Sequence, residues 1–195
     1  MAQTQQASAA KPGIITWNID PAHSNAQFTV RHLMISNVKG EFTRVGGRVL
    51  FDPNNPESLS AEATIDVSTI NTREPDRDNH LKSPDFFDVA KYPTLTFKSK
   101  RALAGSDGLK VTGDLTIHGV TREVTLDVEG PTPPVKDPWG FTRVGASATA
   151  KINRKDFGLI WNQALETGGV LVGDDVRITL DVELVAEQPA AGGKN

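Results

Sequence analysis

Four histidines, His23, His32, His80 and His118, are the side chains of this 195-residue chain that titrate near neutrality without help. Two imidazoles at HxH or HxxxH spacing would turn two ring nitrogens toward one metal, and none of the four stands at such a spacing. A metal site would have to be assembled from distant strands, and neither a metal nor another cofactor is expected. His23, in the turn-like string DPAHS, reads as a structural hydrogen-bonding residue. His118, before Gly119, reads as a hairpin residue. His32 falls on the apolar face of a strand-like run, where a satisfied core histidine is the favoured reading and a ligand contact the sharper one. Arg73, Asp76, Arg77, Asp78 and His80 offer acid, base and anion-binding groups, but interleaved charges on a short surface helix usually pair with one another in water. There is no G-x-S-x-G, no G-x-G-x-x-G, no phosphate loop and no cysteine. Catalysis has no positive support in these residues.

The elements that would position any site are strands. Some nine segments, 16–20, 24–34, 40–52, 59–67, 94–100, 109–118, 120–129, 141–153 and 174–186, nearly all alternate apolar and polar residues, with Gly, Pro or Asn between most of them. In 24–34 one face reads Ala26, Phe28, Val30, His32, Met34. A period of two means one buried face and one wet face. So many half-buried strands without a long helix between them hide their edges most economically in a closed barrel, whose inside is the natural place for function. The predicted fold class is all-β, an antiparallel barrel of about eight strands with a short helical insertion. That insertion is a helix over 75–83, with Pro75 early, acidic residues in the first turn and Pro84 as a stop.

Composition bounds the partners. Net charge is −3, from 21 basic against 24 acidic residues, with no clustered basic stripe, so nucleic acid is not expected. No apolar run approaches the ~20 residues of a membrane span, and MAQTQQASAA lacks the features of a secretory signal. The expectation is a soluble protein without an integral membrane segment, cytoplasmic if the chain is complete, or periplasmic if a signal has been removed. Residues 1–15 and 188–195 read as flexible tails around one domain over 16–187.

Two features favour an apolar ligand. The stretch 156–173 is rich in large apolar groups, Phe157, Leu159, Ile160, Trp161, Leu165, Val170 and Leu171, and is expected to fold over something apolar. In 141–153 one face carries Gly145, Ser147 and Thr149 and the other Ala146, Ala148, Ala150 and Ile152. Whichever of the two points inward takes little volume. Alternation alone leaves open whether Phe28, Phe42, Phe97 and Trp161 fill the centre as ordinary core.

The strings DPAHSNAQFTVRHLMISNVKGEF, RDNHLKSPDFFDVAKYPTLTF, GDLTIHGVTREV and NRKDFG, in this order and with similar gaps, resemble the YceI-like family of polyisoprenoid-binding proteins over about residues 17–184. The resemblance implies a lipocalin-like barrel holding a long-chain isoprenoid, quinone-type or fatty amide ligand. It implies ligand contacts at Phe28, Val30, His32 and Phe42 from the first string, Leu81, Phe86, Phe87 and Phe97 from the second, Leu115 and Ile117 from the third and Phe157 from the fourth. Trp161 is added from the apolar stretch. The expected function is reversible sequestration or carriage of such a lipid. Two rivals stand beside it: an enzyme acting on a prenyl or quinone substrate with His32 or His80 as acid or base, and a ligand-free, stress-related homodimer.

Overall fold

Strands with one apolar face bury it together when they curl into a ring, and closing that ring pairs every edge. The structure, a computed structural model, describes residues 13–166 and 168–188. Along them run β1 (Ile15–Ile19), β2 (Asn25–His32), β3 (Ser36–Phe42), β4 (Val45–Asp52), β5 (Asn55–Asp66), β6 (Ile70–Asn71), α1 (Pro75–Lys82), β7 (Thr94–Gly105), β8 (Gly108–Ile117), β9 (Val120–Glu129), β10 (Val135–Lys136), β11 (Thr142–Asn153) and β12 (Val172–Ala186). β1, β4, β5, β7, β8, β9, β11 and β12 form a closed antiparallel ring, because β12 pairs with β11 on one edge and with β1 on the other. The fold is the predicted eight-stranded antiparallel barrel with one short helix. Most of the two expected tails lies outside the described residues.

Nine segments become eight tracks because β1 and β2 are one track bent at 20–24. β1 pairs with the end of β12, Ile19 opposite Leu184, and β2 with its earlier part, Asn25 opposite Asp181. The bend is held locally. Asp20 Oδ1 accepts from Ala22 N at 2.9 Å, Asp20 N donates to Glu183 O at 2.9 Å, and Glu183 N donates to Ser24 Oγ at 3.0 Å. β3 and β4 likewise share a track broken at Thr43 and Arg44, and a 3-10 turn, Val67–Thr69, separates β5 from β6. Pairing, not alternation, sets the strand ends. β3 starts before the predicted Gly40, β5 starts at Asn55 and β7 runs on to Gly105. The run 24–34 stops at His32, where Leu33 (φ 50°) and Met34 (φ 61°) turn the chain into β3. β8 and β9 meet in the predicted hairpin, with His118 and Gly119 at positive φ in a two-residue turn.

One end of the barrel is plugged. Trp17 and Phe51, 0% and 1% exposed, stack with ring centroids 5.3 Å apart in a core cluster that includes Val144 and Leu184. Toward the other end the β2–β3 hairpin continues past the ring, and two segments cover the interior: the α1 region, 72–93, and the loop after β11, described over 158–166 and 168–171.

Candidate functional site

The interior between plug and cover is a cavity of about 280 Å³ with an almost wholly apolar lining. Its room comes from small residues. Ala146 and Ala148 of β11, Ala61 and Ala63 of β5 and Ala26 of β2 all face it, opposite larger groups such as Phe28, Phe97 and Leu180. The question left open by alternation in β11 is thereby answered: the alanine side chains are inward and Thr149 is exposed on the outer face, while Ser147 borders the cavity between the two alanines. Gly40 serves the same wall by close approach, since a Cβ there would stand 2.3 Å from Phe28 Cζ.

Of the twelve residues named from the sequence, ten line the cavity: Phe28, Val30, Phe42, Leu81, Phe86, Phe87, Phe97, Leu115, Ile117 and Phe157. Phe28 touches Phe42, and Phe42 touches Phe87, with centroids 5.8 Å apart in each pair, so aromatic rings run from the strand wall to the α1 region. Phe28, Phe42 and Phe97 border the space without filling it. Two residues fall elsewhere. His32 is neither core nor lining. It ends β2, half-buried, opposite Ser36 and Val172, one step beyond Val30 in the alternation. Trp161 also lies outside the lining; its ring meets His80 at 4.8 Å and Phe86 at 5.2 Å, which joins the loop to the α1 region. Alternation misplaces His32 because the turn at Leu33 ends the strand, and composition misplaces Trp161 because a loop can turn an aromatic to its neighbour as readily as to the cavity.

The charged stretch after β6 does not pair with itself as expected. Asp78 Oδ1 accepts from Thr72 N at 2.8 Å and Thr72 Oγ1 at 2.6 Å, while Arg77 donates to Thr72 Oγ1 at 2.8 Å and Thr72 O at 2.9 Å. These bonds staple α1 to the residue that follows β6. His80 Nε2 lies 2.9 Å from Asp85 Oδ2.

The sequence reading missed Arg154. It is 4% exposed, opens the 3-10 turn that follows β11 and borders the cavity, yet offers it nothing. A guanidinium has five N–H donors, and all five are engaged. Nε donates to Gly173 O (2.9 Å), Nη1 to Leu159 O (2.5 Å) and Trp161 O (2.9 Å), and Nη2 to Val172 O (3.4 Å) and Asp174 Oδ1 (3.4 Å). Burial lowers its proton affinity, and the Asp174 carboxylate opposes that effect. Arg154 therefore holds both ends of the covering loop by their carbonyls. The signal was an arginine between a strand and an apolar loop in NRKDFG, and only the folded loop reveals what it binds.

A second polar cluster closes the barrel seam on the outside. Arg143 Nη1 donates to Asp20 Oδ2 at 2.7 Å and to Glu183 Oε1 at 2.5 Å, and Arg143 Nε donates to Asp137 Oδ2 at 2.7 Å; His23 Nδ1 lies 3.0 Å from Asp20 Oδ2. Asp20, His23 and Glu183 are close enough together to hold a cation, but Arg143 already binds both carboxylates. His23 and then Arg143 hold the Asp20 carboxyl down at about 2, below its ordinary 3.8. The Asp20 bond, and then the Glu183 charge, raise His23 above 6.5. Asp20 therefore stabilises the fold above pH ~3.8, and that contribution drains as pH falls toward 2. His23 contributes fully below pH ~6.5 and loses its part as pH rises through its raised value. Thermal unfolding followed from pH 2 to 9 should show Tm falling below pH 4, with a smaller decline on the alkaline side. Asp20→Asn should flatten the acid limb and His23→Gln the alkaline one. An acid limb unchanged in Asp20→Asn would refute the assignment.

The YceI-like domain family model matches residues 17–184. This chain belongs to the YceI-like family. It is 44% identical over 170 residues to UPF0312 protein SA2479 of Staphylococcus aureus (strain N315), covering 86% of this chain and 95% of that one. Among solved structures, Burkholderia cenocepacia BcnA superposes with a TM-score of 0.71 at 26% identity, covering 85% of this chain and 98% of its own. The YCEI protein of Campylobacter jejuni gives 0.65 at 34% identity, with 82% and 90% covered. A polyisoprenoid-binding domain from Saccharophagus degradans shares the fold at a TM-score of 0.65 and 16% identity, covering 89% of this chain and 99% of its own. The YceI-like strings in the sequence map largely onto architecture here: DPAHS onto the bend at 20–24, HGV onto the β8–β9 turn and NRKDFG onto the Arg154 clamp.

Proposed function

We propose that this YceI-like protein takes up the hydrocarbon chain of a long apolar lipid, of the isoprenoid or a related class, and holds it reversibly in the barrel. The observation that carries the reading is the almost wholly apolar cavity of about 280 Å³, made roomy by alanines on three strands. Arg154, the one charged residue in the lining, has no donor to spare for a head group. Such a site grips by burial of methylene and methyl groups, at ~0.8 kcal/mol for each CH₂, against ~1 kcal/mol net for a typical hydrogen bond. Membership of the family and the fold shared with a polyisoprenoid-binding domain support the same reading. The enzymatic alternative draws on no particular observation, since His32 and His80 stand outside the lining.

The test is a series of ligands with one head group and progressively shorter tails. Affinity should fall by up to about fourfold for each CH₂ removed, less whatever ordering the shorter chain is spared. Exchanging the head at constant tail should change Kd by less than about tenfold. A Kd independent of tail length, read by titration calorimetry, would overturn the proposal.

A further inference from the structure

The cover end of the barrel carries an apolar rim and a basic wall that the cavity does not use. At the β2–β3 turn, Leu33 and Met34 hold positive φ, a conformation suited to Asn and Gly and uncommon for large apolar residues. Met34 is 52% and the adjacent Ile35 76% exposed, and Ile160 of the covering loop is 69% exposed. Leu33 N donates to Leu171 O at 2.8 Å, which ties the turn to that loop. The segments that give Val30, Leu159 and Val172 to the cavity thus also hold Met34, Ile35 and Ile160 in solvent.

Next to this rim, on the outer face of the wall, cross-strand neighbours form a row: Lys39 opposite Thr29, Thr29 opposite Arg177, Arg177 opposite Lys151. Their sequence neighbours Phe28, Val176 and Ile152 line the cavity, so the row points outward. Arg31, nearer the turn, donates to Met34 O at 3.3 Å and to Asn37 Oδ1 at 3.4 Å. Lys151 is paired with Asp175, and Asp174 is taken by Arg154 and Lys155. Among the described residues Arg31, Lys39 and Arg177 have no carboxylate within 4.0 Å, and Glu41 lies one outward position farther from the turn, opposite Gln27. Three cations without a carboxylate partner among the described residues, beside an apolar tip in a chain of net charge −3, complement a surface that is both anionic and apolar.

We propose that this end of the protein docks on an anionic lipid bilayer, with Met34, Ile35 and Ile160 entering the interfacial layer and Arg31, Lys39 and Arg177 meeting lipid phosphates. The charges select this occupant. A second copy meeting the same patch about a two-fold axis would set cation against cation. Docking gives the proposed lipid-carrying cavity a place to load, but it is measured without cargo.

The test is co-sedimentation of the full chain with phosphatidylcholine vesicles containing about 30% phosphatidylglycerol, and with phosphatidylcholine alone. The protein should sediment with the anionic vesicles, and binding should weaken as salt rises from about 50 to about 500 mM. Met34→Asp with Ile35→Asp should lower the partition coefficient about tenfold or more. Arg31→Gln, Lys39→Gln and Arg177→Gln should each lower it about fivefold on anionic vesicles. Trp139→Ala, an exposed residue near the plugged end, should bind as the parent does. A cavity-filling variant such as Ala148→Phe should still sediment while losing cargo, which separates failure of docking from failure of the cavity reading. Absence of sedimentation with the anionic vesicles, an unchanged partition for the Met34 and Ile35 double variant with unaltered Tm, or binding indifferent to salt and lipid charge would overturn the proposal. So would a dimer-to-monomer shift in sedimentation velocity on Met34→Asp, because it would assign the tip to a second copy.

Discussion

Ala148→Phe is expected to fold and to lose nearly all affinity for a long-chain ligand. Ala148 is buried on β11, pairs across to Leu180 and Val128, and faces the cavity. In a filled core a Phe there would cost ~1–3 kcal/mol by overpacking. Here the ring enters open space, so the loss of stability should stay at or below the bottom of that range, a few degrees in Tm. The ligand loses the same space. Displacing four or five methylenes at ~0.8 kcal/mol each weakens binding by a few hundredfold. Thr149→Phe, one residue on and facing outward, should leave Kd unchanged. Equal affinities for the parent and Ala148→Phe, measured with a fluorescent long-chain probe, would place the ligand outside the barrel.

Arg154→Met should cost far more stability than Ala148→Phe. It removes five hydrogen bonds and leaves the carbonyls of Leu159, Trp161, Val172 and Gly173 without their guanidinium partner. At ~1 kcal/mol for each bond lost, and more where a carbonyl stays buried without a partner, the cost is about 3–5 kcal/mol by urea unfolding. Arg154→Lys should recover little, because an ammonium carries three donors on one centre and cannot span carbonyls from both ends of the loop. Limited proteolysis should then cut within 158–171 before anywhere else in the barrel. A loss below ~1 kcal/mol would mean that the loop holds itself, through Asn162, whose Nδ2 donates to Val172 O and whose Oδ1 accepts from Val172 N.

These two variants probe opposite halves of one device. Ala148 belongs to a wall fixed by ladder hydrogen bonds on both sides. Arg154 secures a cover that meets the α1 region where Trp161 packs on His80 and Phe86. A wall held by strand ladders with a cover held by side-chain bonds suits a site that must admit and release a chain without unfolding.

Alternation alone determined the architecture, because each strand's period of two assigns inside and outside before any partner is known. It put Ala26, Phe28 and Val30 on the cavity face, and Gly119 marked the β8–β9 turn. Local signals also placed α1 to within a residue. What alternation could not decide was volume and termination. Whether Ala146 and Ala148 faced in or out depended on the register of β11 against β12. His32 left the lining because pairing with Ser36 ended the strand and turned the chain at Leu33. Arg154 was invisible as a clamp because its five acceptors lie 5 to 20 residues away along the chain and converge only when the loop closes. The alternation of side chains along a strand is a local property and is written in sequence. The emptiness of a barrel and the partners of a buried charge are sums over distant segments, and only tertiary structure fixes them.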